Sequence, residues 1–171
     1  VYKRQQQHWE PSLTDIKAKI DEARSQGIEP RVIVVINPGN PTGACMTRAE
    51  VEDMIKLAHR ESLAIFADEV YQDNVYNKDR PFVPFRRVLM ELQNSQDASE
   101  REIGSSVELV SFHSTSKGMV GECGRRGGFF VLNNMDAEVE AQINKVVSMS
   151  LCPPTQGQIG VCLLYTSDAA D

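Results

Sequence analysis

Glycine is never followed by lysine in this chain, so the G-x-x-x-x-G-K-[ST] loop of P-loop NTPases is absent. The glycines of Gly121-Glu-Cys-Gly-Arg-Arg-Gly-Gly128 do not fit G-x-G-x-x-G, which leaves a dinucleotide fingerprint unsupported. No apolar run approaches the roughly 18–20 residues of a membrane span. Cysteine is sparse and scattered. Cys45, Cys123, Cys152 and Cys162 form no C-x-x-C pair and have no histidine at ligand spacing. They read as reduced thiols of an intracellular protein, not as a disulfide frame or zinc site. His8, His59 and His113 stand alone, and no metal is expected. The 18 basic residues are outnumbered by 24 acidic ones, for a net charge of −6, and no basic cluster appears. Neither nucleic acid nor a membrane is expected as a partner. An initiator methionine and a signal-peptide pattern are also missing. Residues 1–5 and 162–171 resemble translated adapter readthrough, so the chain is expected to be an internal fragment, native over about residues 9–160.

What remains is ordinary globular material: 171 residues, 41% hydrophobic and 25% charged. Ser12 stands before an apolar series at Leu13, Ile16, Ile20 and Ala23, a helix closed near Gly27 and Pro30. Arg31-Val-Ile-Val-Val-Ile36 is too short for a helix and apolar on both faces, as a buried parallel strand is. Thr47-x-x-Glu50 is a capping box, opening a helix with Val51, Met54, Ile55 and Ala58 on one face. Leu63-Ala-Ile-Phe-Ala-Asp-Glu69 is a second buried strand and Val107-Glu-Leu-Val-Ser-Phe112 a third. Between them, Phe82 to Leu92 predicts a short helix and residues 94–102 a polar loop. Gly128-Phe-Phe-Val-Leu132 is a fourth strand, and Asp136 to Met149 has the spacing of a packing helix that Pro153 and Pro154 end. Strands alternating with helices predict an α/β fold with a mainly parallel sheet and flanking helices.

The ends of three strands carry the chemistry. Asn37-Pro-Gly-Asn-Pro-Thr-Gly43 is a dense run of turn formers that holds Asn40 stiffly, although a plain connection reads the same way. Asp68 and Glu69 end an apolar strand and lead to Tyr71. With no P-loop for a magnesium site, they are a partner for a cationic cofactor group or face solvent. Ser111-Phe-His-Ser-Thr-Ser-Lys-Gly118 delivers Lys117 to the sheet edge where open α/β folds bind ligands. That lysine is a phosphate contact, a surface residue or a nucleophile. Arg125 and Arg126, on a glycine-rich loop, suit an anion or simply solvent.

In this order, Asn37-Pro-Gly-Asn-Pro-Thr-Gly43, Asp68-Glu-Val-Tyr71, Ser114-x-x-Lys117 and Arg126 resemble the aspartate-aminotransferase-like, fold type I, class I/II family of enzymes using pyridoxal 5'-phosphate (PLP). The strings 67–76 and 111–124 look most like alanine aminotransferases, with glutamate:glyoxylate aminotransferases close behind. The resemblance implies that these residues are part of a large PLP-binding domain, with a small C-terminal domain absent. Lys117 would hold PLP as an aldimine and shuttle protons, Asp68 would pair with the pyridine nitrogen, and Asn40 and Tyr71 would bond the ring oxygen. Ser114 and Arg126 would hold the phosphate, with Ser116 a further candidate. Lys117, Asp68 and Tyr71 are thus the expected catalytic residues. Glu69 and Asp73 are claimed by no motif position and are expected to make solvent or structural contacts. Relatives usually carry an aromatic residue where this chain has Arg125. The implied reaction is ping-pong amino transfer between L-alanine and 2-oxoglutarate, in a cytoplasmic or mitochondrial homodimer. The alternatives are glutamate:glyoxylate transfer, an aminocyclopropane-carboxylate-synthase-like elimination, or an inactive isolated fragment.

Overall fold

The computed structural model describes residues 12–118, 121–150 and 152–167. Helix α1 (Leu13–Ser25) starts on Ser12, whose Oγ accepts from the Asp15 amide at 3.3 Å. Strand β1 (Val32–Ile36) follows, then α2 (Arg48–Glu61), opened by the full Thr47/Glu50 capping box. Two positive side chains converge on the buried Glu61 at the end of α2. Arg24 lies 2.6 Å and Lys17 3.5 Å away, tying α1 to α2. The chain continues as β2 (Ala64–Asp68), α3 (Phe85–Gln93), α4 (Ala98–Ser106) and β3 (Leu109–Ser114). A short 3-10 turn at Cys123–Arg125 precedes β4 (Gly128–Asn133), α5 (Ala137–Ser148) and α6 (Thr155–Ser167).

The sheet runs in the order β1-β2-β3-β4, parallel across the first three strands and antiparallel at the last. The expected α/β fold with a mainly parallel sheet is therefore present. One face packs on α2 and α3, with α4 lying on those helices and Ile20 of α1 joining the same core. Ile65, Ala67 and Leu109 meet Val51, Met54, Ile55, Phe85, Val88 and Leu89 there, most of them fully buried. Each large apolar side chain so buried contributes about 1.5–3 kcal/mol, which makes this layer the body of the fold.

Three expectations are corrected. Strand β1 is not buried on both faces: its burial alternates, and Val32, Val34 and Ile36 are exposed. Among the described residues it is a sheet edge, and the face it shares with Phe66, Phe112 and Phe130 lacks the helical cover of the opposite face. The polar stretch 94–102 is not all loop. Asp97 caps α4 by accepting from the Ser99 and Glu100 amides, and Gly104 allows the helix to lie on the end of α3. Helix α5 is helical as expected but buries no residue among those described, with Val139, Val146 and Val147 exposed.

Candidate active site

Side chains alternate along a strand, and the register decides which of them share a face. Ile36 pairs with Asp68 and Asp68 with Phe112, so Asp68 stands on the open face near the C-terminal ends of three parallel strands. Ser114, two residues beyond Phe112, lies on that same face. The Asp68 carboxylate accepts weakly from the Val70 amide at 3.4 Å, starting the turn that presents Tyr71.

The loop after β1 is braced from inside. The buried Asn37 accepts from the Met46 amide at 2.9 Å, and Gly39 and Ala44 close the loop across a 2.9 Å backbone bond. Both X-Pro bonds in it, at Pro38 and Pro41, are cis. Asn40 projects from its tip, and its Nδ2 donates to the Tyr71 hydroxyl at 3.3 Å. Lys117 is exposed, with Nζ 5.6 Å from the centre of the Tyr71 ring. Loops after β1, β2 and β3 thus meet at Asn40, Tyr71 and Lys117.

The third loop turns on one carbonyl. Gly127 O accepts from the Thr115 amide at 3.0 Å, the Thr115 hydroxyl at 3.1 Å and the Ser114 hydroxyl at 3.3 Å. Ser114 Oγ in turn accepts from the Ser116 amide at 3.1 Å. Arg126 precedes Gly127, so this knot ties its backbone to Ser114. Its φ of +55° is left-handed, a conformation costing a side-chain-bearing residue about 1–2 kcal/mol. Its guanidinium is exposed and donates to the Cys123 carbonyl at 3.2 Å. The loop is also fixed from outside. A Cβ on Gly127 would lie 2.6 Å from the Gly157 carbonyl, so only a glycine lets α6 approach so closely.

Asn40, Tyr71 and Lys117 are brought together, and Ser114, Ser116 and Arg126 share the knot at Gly127. Asp68 lies on the same face as Ser114 and one turn from Tyr71, although the one described hydrogen bond of its carboxylate is accepted from the Val70 amide. Two participants carry no mark in the sequence beyond an acidic residue beside the motif. Asp73 packs against Gly118, where an added Cβ would meet its Oδ2 at 2.5 Å. Glu69 is buried, and its Oε1 accepts from the Phe85 amide at 2.8 Å. The only available signal for Glu69 was period two, which puts the residue after Asp68 on the core face.

This chain belongs to the aminotransferase class I and II family, whose description matches residues 1–165. Members of the family depend on PLP. The chain is 46% identical over 157 residues to "Alanine aminotransferase 2-like" of Danio rerio, covering 92% of this chain and 27% of that protein. It is 40% identical over 163 residues to "Glutamate--glyoxylate aminotransferase 1" of Arabidopsis thaliana, covering 95% and 32%. Among solved structures, an aminotransferase from Escherichia coli superposes with a TM-score of 0.69 at 28% identity, over 92% of this chain and 34% of that one. The chain therefore spans about a third or less of the length of these relatives.

Proposed function

We propose that the protein this chain belongs to is a PLP-dependent alanine aminotransferase, moving the amino group between L-alanine and 2-oxoglutarate. The observation that carries the reading is the meeting of Asn40, Tyr71 and Lys117 at the ends of three strands, with Asp68 on the same face as Ser114. The donor set fits the cofactor's chemistry. A carboxylate suits a protonated ring nitrogen, an amide and a phenol suit a ring oxygen, and hydroxyls with an arginine suit a phosphate.

In this reading Lys117 would hold the cofactor's aldehyde carbon and Asp68 its protonated ring nitrogen. Tyr71 and Asn40 keep its oxygen side oriented, and their mutual hydrogen bond arranges both donors beforehand. Ser114, Ser116 and Arg126 grip the phosphate. The always-charged fork of Arg126 gives a directional grip that a lysine would not. Bound PLP supplies an electron sink for the substrate's Cα. Lys117 carries the proton to and from that carbon. The residues lie in a large-domain portion, over about residues 9–160, of an intracellular homodimer that is cytoplasmic or mitochondrial.

Alanine is preferred as the donor because identity to the alanine enzyme above exceeds that to the glutamate–glyoxylate enzyme. Product analysis on the full-length, PLP-loaded protein tests this. The expected result is pyruvate formed from L-alanine with 2-oxoglutarate as acceptor. Faster turnover with glutamate and glyoxylate, or an eliminated or cyclised product, would replace the alanine reading.

A further inference from the structure

Glu69 is a buried carboxyl without a cationic partner among the described residues, whereas the equally buried Glu61 has Arg24 and Lys17. It follows Asp68 directly. The alternation of the strand sends Asp68 to the open face and Glu69 to the core face, beyond Ala67, whose register partner is Ser111. There its Oε1 accepts from the amide of Phe85, the first residue of α3, at 2.8 Å. The first amides of a helix have no partner within it, and the residue before α3 is Pro84, which makes no side-chain cap. Glu69 accepts from the first of these amides, 16 residues away in sequence.

The backbone of Glu69 is equally committed. Its amide donates to Phe112 O at 3.2 Å, extending the sheet, and its carbonyl accepts from Gln72 at 3.1 Å, starting the turn that carries Tyr71. One residue thus joins the buried start of α3, the end of the sheet beside Asp68 and the turn bearing Tyr71. Phe85, at the far end of the tie, is fully buried.

We propose that Glu69 is a positioning residue, its tie to Phe85 fixing the β2–α3 corner so that Asp68 and Tyr71 hold their places toward Asn40 and Lys117. Burial pushes its carboxyl up to about 7, with Asp68 adding to the rise and the Phe85 amide and Ser111 hydroxyl opposing it. The Ser111 hydroxyl lies near the carboxyl without meeting hydrogen-bond geometry. A side-chain cap at position 84 would reach only the amides one or two residues further on, so the Phe85 amide depends on Glu69, and the carboxyl serves the corner as well as the helix.

The inference rests on the proposed PLP site and is tested apart from turnover, in the full-length protein, by PLP dissociation constant and by hydrogen exchange at the Phe85 amide. Glu69→Ala is expected to weaken PLP binding about tenfold, the scale of one lost hydrogen bond to a carboxyl. It should also expose the Phe85 amide to exchange. Glu69→Gln keeps an acceptor oxygen and should stay close to wild type in both. The double variant Glu69→Ala/Pro84→Ser gives α3 a cap at its second or third amide, so it recovers helix stability in part while PLP binding stays weak. That variant also serves where Glu69→Ala alone does not fold. Recovery of PLP affinity along with stability would overturn the proposal, as would wild-type affinity in Glu69→Ala or a Gln variant as impaired as the Ala. A wild-type protein that binds no PLP would refute the proposed function instead. The exchange result would then still decide whether the tie to Phe85 exists.

Discussion

Lys117 stands exposed over the Tyr71 ring, followed by a glycine that cannot be replaced cheaply. Gly118 has a φ of +60°, and a Cβ there would strike the Asp73 carboxylate. Gly118→Ala should therefore cost about 1–2 kcal/mol from the backbone alone and displace Lys117. The check is a denaturant titration of the full-length protein alongside the absorbance of bound PLP, with both expected to change. Glu69 gives a pH-dependent outcome whose sign follows from its direction of shift. Folding raises its pKa from 4.5 to about 7, so the native state holds a proton that the unfolded chain has released. The stability it lends is full below about pH 4.5, falls through that window, and is flat above about pH 7. The slope reaches about 1 kcal/mol per pH unit at most. Melting temperatures from pH 4.5 to 7.5 should show wild type losing stability relative to Glu69→Gln, which does not titrate; parallel curves would contradict the assignment.

At the scale of elements, local signals were legible where both partners of a contact lie within a turn. The Thr47/Glu50 capping box and the Ser12 and Asp136 caps needed no more than four residues of sequence each, and all three open helices. The Asn40, Asp68, Tyr71 and Lys117 stretches were legible because each ends a short apolar run. Helix α4 was not, because Ala98–Ser106 has little apolar periodicity and is held by contacts distant in sequence. Asn134 Nδ2, on a residue with φ +55°, donates to Gly104 O at 2.7 Å and Val107 O at 2.8 Å and so closes the end of α4. Asn134→Ala leaves those carbonyls without this donor and strains the turn; a loss of about 1–3 kcal/mol is expected by denaturant unfolding. The contact of α6 with the Arg126 loop was equally hidden, since it consists of two glycines 30 residues apart. Gly157→Ala places a methyl 2.7 Å from Arg125 O and 2.9 Å from Arg126 O. It should weaken phosphate and PLP binding together, as measured by titration, while leaving the sheet's circular dichroism intact.

For the whole molecule, the two faces of the sheet differ. One is closed by α2 and α3; the other carries Val34, Phe66, Phe112 and Phe130 across all four strands, with Phe66–Phe112 and Phe112–Phe130 in ring contact. The exposure of β1 could not be read from its composition. Val-Ile-Val-Val-Ile suits a strand buried on both sides, and a sequence does not say where cover is missing. The Asp68 side of the sheet is that same open face, so the proposed chemistry and the exposed apolar surface coincide. The 171 residues alone should bind an apolar dye and show no transaminase turnover. The central claim concerns Lys117. Full-length protein should develop visible absorbance with PLP that shifts on adding L-alanine, while Lys117→Ala should bind PLP without the same band and fail to turn over. A wild-type protein that never develops the band, or a Lys117→Ala variant that develops it and responds to alanine equally, would contradict the account.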